Sequence, residues 1–254
     1  MEEIKMNEKV EHAKKIVEKA IKEHKRIGVA CSFGKDSMVV VHLARQVDPS
    51  IEIFSIMTRY KPNETFEYLR EMNREMNLGL KVYLVADSIP EVLQGNDLNV
   101  ELLPPEEFNR VSTESKARTG KEIYEASPDE CCRLLKVDPT KAAVKDLDAW
   151  ICGLRNTEGR TRKNYREIEE KGGLIKVNPI LEFTEQDVLQ YLKDNNIKLH
   201  PWYSKEFPDG RRYRSLGCGP CTNPIFDSQL ERDGRWQNTS KCGGECGIHT
   251  QQLK

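Results

Sequence analysis

The sequence contains no apolar run near the roughly 20 residues that a membrane-spanning helix requires. Its opening stretch, MEEIKMNEKVEHAKKIV, carries no apolar core of the signal-peptide kind. An excess of either charge is also missing, since 40 Lys and Arg stand against 41 Asp and Glu for a formal net charge of -1. The first two absences exclude a membrane span, and the third leaves no global footprint for nucleic acid. A soluble, cytoplasmic protein is therefore expected, with neither a membrane nor a nucleic-acid partner. No internal repeat or low-complexity segment interrupts the 254 residues, which suffice for one core of Rossmann-like size with a small appendix. What is present in quantity is cysteine, at eight residues. Cytosolic thiols are kept reduced, so metal binding or catalysis is considered before a disulfide framework.

Hydrophobic periodicity outlines the elements. In residues 8–25, Val10, Ala13, Ile16, Val17, Ala20 and Ile21 form one stripe, which predicts an amphipathic helix against a sheet. The apolar run 27–31 stops at S-F-G-K-D-S, residues 32–37, and Met38, Val39, Val41 and Leu43 resume with helical spacing. That reads as strand, tight loop, helix. A strand over 51–56, a helix over 63–77 and a strand over 80–86 follow. The alternation predicts an α/β fold: a doubly wound, mainly parallel sheet with helices on both faces. Ligands of such sheets sit at the carboxyl ends of the strands, so loop 57–63 should face the same crevice as residues 32–37.

Between 87 and 126 the period is weak and Pro104 and Pro105 intervene, so short helices and irregular surface are expected. Ser127 and Glu130 have capping-box spacing around Pro128. A helix from Asp138 to about residue 145, strands over 149–154 and 174–177, and a Thr184-capped helix over 185–195 complete the regular elements. Two parts are expected: an α/β domain over 1–200, and an irregular Cys- and Arg-rich segment over 201–254 that completes a metal site and carries a tail.

The loop at 32–37 defines a ligand class. Gly34 at its crown, with Ser32 and Ser37 beside it, turns N–H groups and hydroxyls toward a helix N-terminus that favours phosphate. Lys35 adds a point charge and Asp36 completes K-D-S. An ordinary βα turn with an exposed lysine is the plain alternative. The spacing is neither that of a Walker loop nor that of a dinucleotide fingerprint. It resembles the pyrophosphate-binding loop of the adenine-nucleotide α-hydrolase-like superfamily, which includes ATP pyrophosphatases, sulfate adenylyltransferase small subunits and adenylyl-sulfate reductases.

Cys218 and Cys221 alone could be a redox pair, half of a zinc site or two unrelated thiols. Cys131 and Cys132 bring the set to four, enough for tetrahedral zinc or a four-cysteine iron–sulfur cluster. Neighbouring helical residues point about 100° apart, which strains an adjacent pair on one zinc ion. A cubane [4Fe–4S] cluster, with separate iron corners, suits the pair better.

Cys-Cys followed by Cys-x-x-Cys, the S-x-G loop upstream and Glu-Cys-Gly-Ile-His near the end together resemble the iron–sulfur adenylyl-sulfate reductases, over residues 25–249. The resemblance implies a [4Fe–4S] cluster on Cys131, Cys132, Cys218 and Cys221, and Cys246 as nucleophile. It implies nucleotide contacts from Lys136, Arg232 and Arg235, and from Arg155 and Arg162 in the loop after strand 149–154. Arg59 stands where the family's Asp-Thr-Gly has glycine and is expected to replace a nucleotide contact. The implied reaction is thiolate attack on adenylyl sulfate or its 3′-phosphorylated form, with a thioredoxin-like or other thiol donor releasing sulfite. Gly243, Gly244 and Gly247 would let the tail swing. A homo-oligomer is compatible with all of this.

Two rivals stand beside this reading. Lys35 and the intact K-D-S suit an ATP-dependent adenylating or sulfur-transfer enzyme, of the tRNA thiolase or sulfate adenylyltransferase type. Four thiolates around zinc would suit a non-catalytic nucleotide-binding module. Among the remaining residues, Cys31 and Cys152 read as buried packing and Trp236 as packing or nucleotide shelter. His249 reads as a general acid or a solvated neighbour. Arg211, Arg212 and Arg214 form a solvated face or serve the site, and Cys242 is a resolving thiol or incidental.

Overall fold

The computed structural model describes residues 2–241 and 244–254. Cys242 and Gly243, the candidate resolving thiol and one tail glycine, lie outside the described residues. The strands are β1 (Ile27–Ala30), β2 (Glu52–Met57), β3 (Lys81–Val85), β4 (Asn99–Leu103), β5 (Ala149–Ile151), β6 (Ile168–Lys171) and β7 (Leu174–Val177). They form one sheet in the order β4-β3-β2-β1-β5-β7-β6, with every neighbouring pair parallel except β6 with β7. This is the doubly wound α/β arrangement the sequence predicts.

Side chains alternate across the strands, as the two-residue period demands. Val29, Ile53, Val82 and Ile151 point into a core shared with helices α1 (Glu2–Glu23), α2 (Lys35–Val47) and α3 (Asn63–Glu75). Phe54, Tyr83, Trp150 and Cys152 point to the opposite face, against α7 (Asp138–Val144). There Phe108 of α4 (Glu106–Thr119) and Ile123 of α5 (Ile123–Ala126) extend the packing beneath α6 (Pro128–Cys132). Among the described residues, no helix is long and apolar enough to cross a membrane.

Several sequence expectations are corrected. The 87–126 region contains an edge strand, β4, and a 14-residue helix, α4. An exposed edge strand needs no alternating apolar face, and β4 has none of its side chains fully buried. The antiparallel edge strand β6 escapes notice for the same reason. Strand 149–154 stops at Ile151, because Gly153 passes against the start of α2. Ser127 makes no side-chain cap; the capping box nearby joins Glu122 and Glu125. Thr184 does cap α8 (Glu185–Asp194), accepting from the Asp187 N–H at 3.2 Å. It does not open the last element, since α9 (Gly247–Thr250) follows in the tail.

Candidate active site

β1 runs to β2 on one side of the sheet, whereas β5 returns to the other side of β1, so the strand order reverses between β1 and β5. Open α/β sheets bind ligands at such a switch point. The two loops leaving it are packed tightly: a Cβ on Gly153 would lie 2.7 Å from the Asp36 carbonyl carbon and 2.8 Å from the Ser37 nitrogen. Only glycine allows that approach. On the other loop, Ser37 Oγ donates to the Gly34 carbonyl at 2.9 Å and accepts from the Ser32 N–H at 3.3 Å. Phe33 adopts a left-handed conformation, φ 61°, and its buried ring packs edge-on to Tyr68.

A cavity of about 180 Å³ opens over this junction. Ser32, Gly34, Asp36 and Ser37 line its floor, and Lys136, Arg162, Arg232, Arg235 and Cys246 its walls. The structure thus brings together nine of the residues that the sequence singles out. Three others lie apart. Lys35 is fully buried, and its Nζ donates to Glu231 Oε2 at 2.7 Å and to the Arg214 carbonyl at 2.8 Å. Arg155, also fully buried, donates to Glu231 Oε2 at 2.6 Å and to Asp36. Burial alone would raise the Asp36 carboxyl, but Arg155 and Lys35 outweigh it and hold it at about 2. Buried charges persist only when paired in this way, which is why both cations point into the protein. Arg59 is exposed and lies over the Phe108 ring, 4.6 Å from its centroid, outside the cavity.

At the cavity's end the tail packs Cys246 against Cys132. The Cys132 thiol beside it and then Lys136 lower the Cys246 thiol below its ordinary value despite burial. Burial would discharge Lys136, yet Cys218, Cys246 and Cys132 around it raise its pKa above the ordinary value. Burial also raises the Glu245 carboxyl, but Arg162 and Arg232 more than reverse this and keep it ionised.

The sequence profile of the Phosphoadenosine phosphosulfate reductase domain matches residues 26–224. An adenosine 5′-phosphosulfate reductase of Bacillus subtilis is 31% identical over 222 residues, which span 87% of this chain and 82% of that protein. The chain belongs to the phosphoadenosine phosphosulfate reductase family. Its similarity to an adenosine 5′-phosphosulfate reductase of Staphylococcus epidermidis, 29% identical, runs over 97% of the chain and 90% of that protein. A crystal structure of phosphoadenylyl-sulfate (PAPS) reductase from Candida auris shares the fold, with a TM-score of 0.61 at 18% identity over 84% of this chain and 90% of that one. The FMN adenylyltransferase of Candida glabrata shares it as well, with a TM-score of 0.55 at 14% identity over 94% and 75% of the two chains.

In this family member the cysteine pairs meet in a second, smaller cavity behind the first. Cys131, Cys132, Cys218 and Cys221 are all buried and line it with Tyr60, Tyr124, Pro220 and Lys136. Gly219 N–H donates to the Tyr60 carbonyl at 2.7 Å, which fixes the Cys-x-x-Cys turn to the loop after β2. Among the described residues, no three His, Cys, Asp or Glu side chains converge on a position for a single metal ion. Trp236 is the partition between the two cavities and lines both. Its ring lies 4.6 Å from the Arg235 guanidinium and 5.2 Å from Lys241 Nζ.

Residues that sequence reasoning missed also line the larger cavity. Lys61 is half-buried there, and burial beside Lys136 pushes its ammonium down to about 8. Glu158 holds Arg162, and the Tyr203 hydroxyl accepts from the Lys35 N–H at 3.2 Å. His249 is not a solvated neighbour: its ring stacks on Trp150 at 6.1 Å, and its Nδ1 is buried with no hydrogen-bond partner among the described residues. Arg211, Arg212 and Arg214 stay outside, paired with Asp209, Asp227 and Glu185. Cys31 and Cys152 are buried at the cavity wall.

Proposed function

We propose that the protein reduces adenylyl sulfate to sulfite and AMP at the expense of a thiol donor, with Cys246 as nucleophile. The observation that carries the reading is the placement of Cys246 at the end of a cation-lined cavity over the S-F-G-K-D-S loop. The Cys246 thiolate attacks the sulfur of the mixed anhydride; an S–S bond forms, the S–O bond breaks, and AMP leaves with the electron pair. Lys136, Arg162, Arg232 and Arg235 screen the approach of thiolate to sulfonate and stabilise charge as it moves onto phosphate. A thiolate of the donor then attacks Cys246 Sγ and expels sulfite with the S–S electron pair. A second donor thiol resolves the resulting disulfide and restores Cys246. The donor is a thioredoxin-like or other dithiol, and the reduced cytoplasm supplies the setting.

The four buried cysteines fit a [4Fe–4S] cluster. Their burial around one small cavity, with the charge of Lys136 in its lining, suits an anionic thiolate-ligated group. Such a cluster would supply structural support and a fixed electrostatic field beside Lys136, and the scheme above requires no electron from it. In this division residues 1–200 supply the adenine-nucleotide loop with Lys136 and Arg162, and residues 201–254 contribute Arg232, Arg235, Cys218, Cys221 and the tail.

Anaerobically purified protein is mixed with sulfur-labelled adenylyl sulfate or its 3′-phospho form, and peptides are weighed. A labelled sulfonate on Cys246 with stoichiometric nucleotide release is expected, and the faster nucleotide names the substrate. Absence of the adduct with both nucleotides, in protein carrying its full metal content, would refute the reading.

A further inference from the structure

Glu245 immediately precedes Cys246, and its carboxylate is buried. One oxygen, Oε1, accepts the Cys246 N–H at 2.8 Å, Arg232 at 2.9 Å and Arg162 at 3.0 Å; the other, Oε2, accepts Arg162 Nε at 2.6 Å. A single carboxylate thus fixes the backbone of the residue that bears the thiol and two of the cavity's cations. Among the described residues, Arg232 Nε is buried and without a partner, on a side chain that lines the cavity. Glu158 takes the remaining arm of Arg162. Beyond Gly247 the chain end is secured separately, by Tyr165 on the His249 carbonyl at 3.3 Å, by Lys171 on the Thr250 carbonyl and by burial of Leu253. Around Cys246 the Glu245 carboxylate acts together with Arg232, which also donates to the Gly244 carbonyl at 3.3 Å.

We propose that Glu245 is a positioning residue that couples docking of the Cys246 segment to the orientation of Arg232 and Arg162. One anion performs both tasks, so the nucleophile and the groups that receive the substrate's negative charge come into register together. The role rests on the reading of Cys246 as nucleophile, but its test does not need turnover.

In the nucleotide-free holoprotein, alkylation of Cys246 by iodoacetamide is followed by mass spectrometry, at a pH high enough that the thiol is ionised in every variant. Glu245→Gln keeps the shape and removes the charge. Charge-assisted hydrogen bonds of this kind correspond to about a tenfold change or more, so alkylation is expected to rise about tenfold. Glu158→Gln, which loosens Arg162 but leaves the Glu245 carboxylate and its bond to the Cys246 N–H in place, is expected to raise alkylation clearly less than Glu245→Gln does. Glu245→Asp keeps the charge needed for folding and draws the carboxylate back, so it should show a smaller rise if Glu245→Gln does not fold. Single-turnover sulfonation of Cys246 in Glu245→Gln, at saturating nucleotide, is expected to slow by at least the same factor. No rise in either Glu245 variant, or an equal rise in Glu158→Gln, would overturn the role. If the wild-type protein forms no sulfonate at all, the functional reading fails, while the alkylation comparison still decides the placement of Glu245.

Discussion

Replacing Lys35 by methionine separates two roles that the S-F-G-K-D-S loop could give its lysine. In the structure Lys35 Nζ is withdrawn from the cavity and bonded to Glu231 and to the Arg214 carbonyl. It stays charged because Asp36 and Glu231 offset the cost of burial. Removing one side of a buried ion pair costs about 3–5 kcal/mol, and because Arg155 still holds Glu231 the expected loss is about 2–3 kcal/mol. For a chain of this size that lowers the unfolding midpoint by about 4–12 °C. Binding of AMP, followed by calorimetric titration, should change by less than about twofold, since no ligand in the cavity reaches Nζ. A lysine that grips a nucleotide phosphate would behave in the opposite way. An AMP affinity reduced tenfold or more, with an unchanged unfolding midpoint, would refute the structural role of Lys35 and revive ATP-dependent chemistry at this loop.

Three further outcomes follow from the packing. His200 is buried with Nδ1 accepting the Trp202 N–H, so its neutral ring carries the proton on Nε2 toward Thr65, and burial lowers its pKa to about 4. The unfolded chain binds this proton below about 6.5 and the folded chain only below about 4. Stability is therefore complete above about pH 6.5 and falls by about 2–3 kcal/mol as the pH drops to 4; urea unfolding at pH 7.5 and 4.5 should show a smaller difference in His200→Asn. Gly153→Ala forces the start of α2 to retreat by about 0.7 Å, which should cost about 1–3 kcal/mol and weaken AMP binding; a full-strength binding isotherm would contradict the close approach. Lys61→Met removes a cavity cation that has no carboxylate partner among the described residues. It should weaken nucleotide binding about tenfold while leaving thermal unfolding within about 2 °C, and an unchanged Michaelis constant would count against its place in the site.

The central strands were legible because β1, β2, β3 and β5 are buried on both faces, so their apolar runs stand out in any window. β4 and β6 were not, because NVELL and IEEK sit at the sheet's edges with solvent on one side. The cavity's basic residues could be named from motifs, but the direction of each could not. Lys35 and Arg155 turn inward because Glu231, an unremarked acid 196 residues beyond Lys35, lies beneath them. Nothing local to Glu231 or Glu158 distinguishes them from surface glutamates, and although Glu245 opens the Glu-Cys-Gly-Ile-His run, its partners exist only once the tail and the β5 loop meet. Lys61 sits in the loop already expected to face the crevice, and a count of cations in that loop would have found it.

The partition formed by Trp236 also makes the site optically readable. Of the three tryptophans, Trp150 and Trp236 line the larger cavity, while Trp202 is stacked on Tyr213 away from it. Two of the three indoles therefore sit where a nucleotide would arrive, and one of the two shares a wall with the cysteine pocket. Filling either compartment changes the surroundings of the same fluorophore, so the unmodified chain carries its own probe for both.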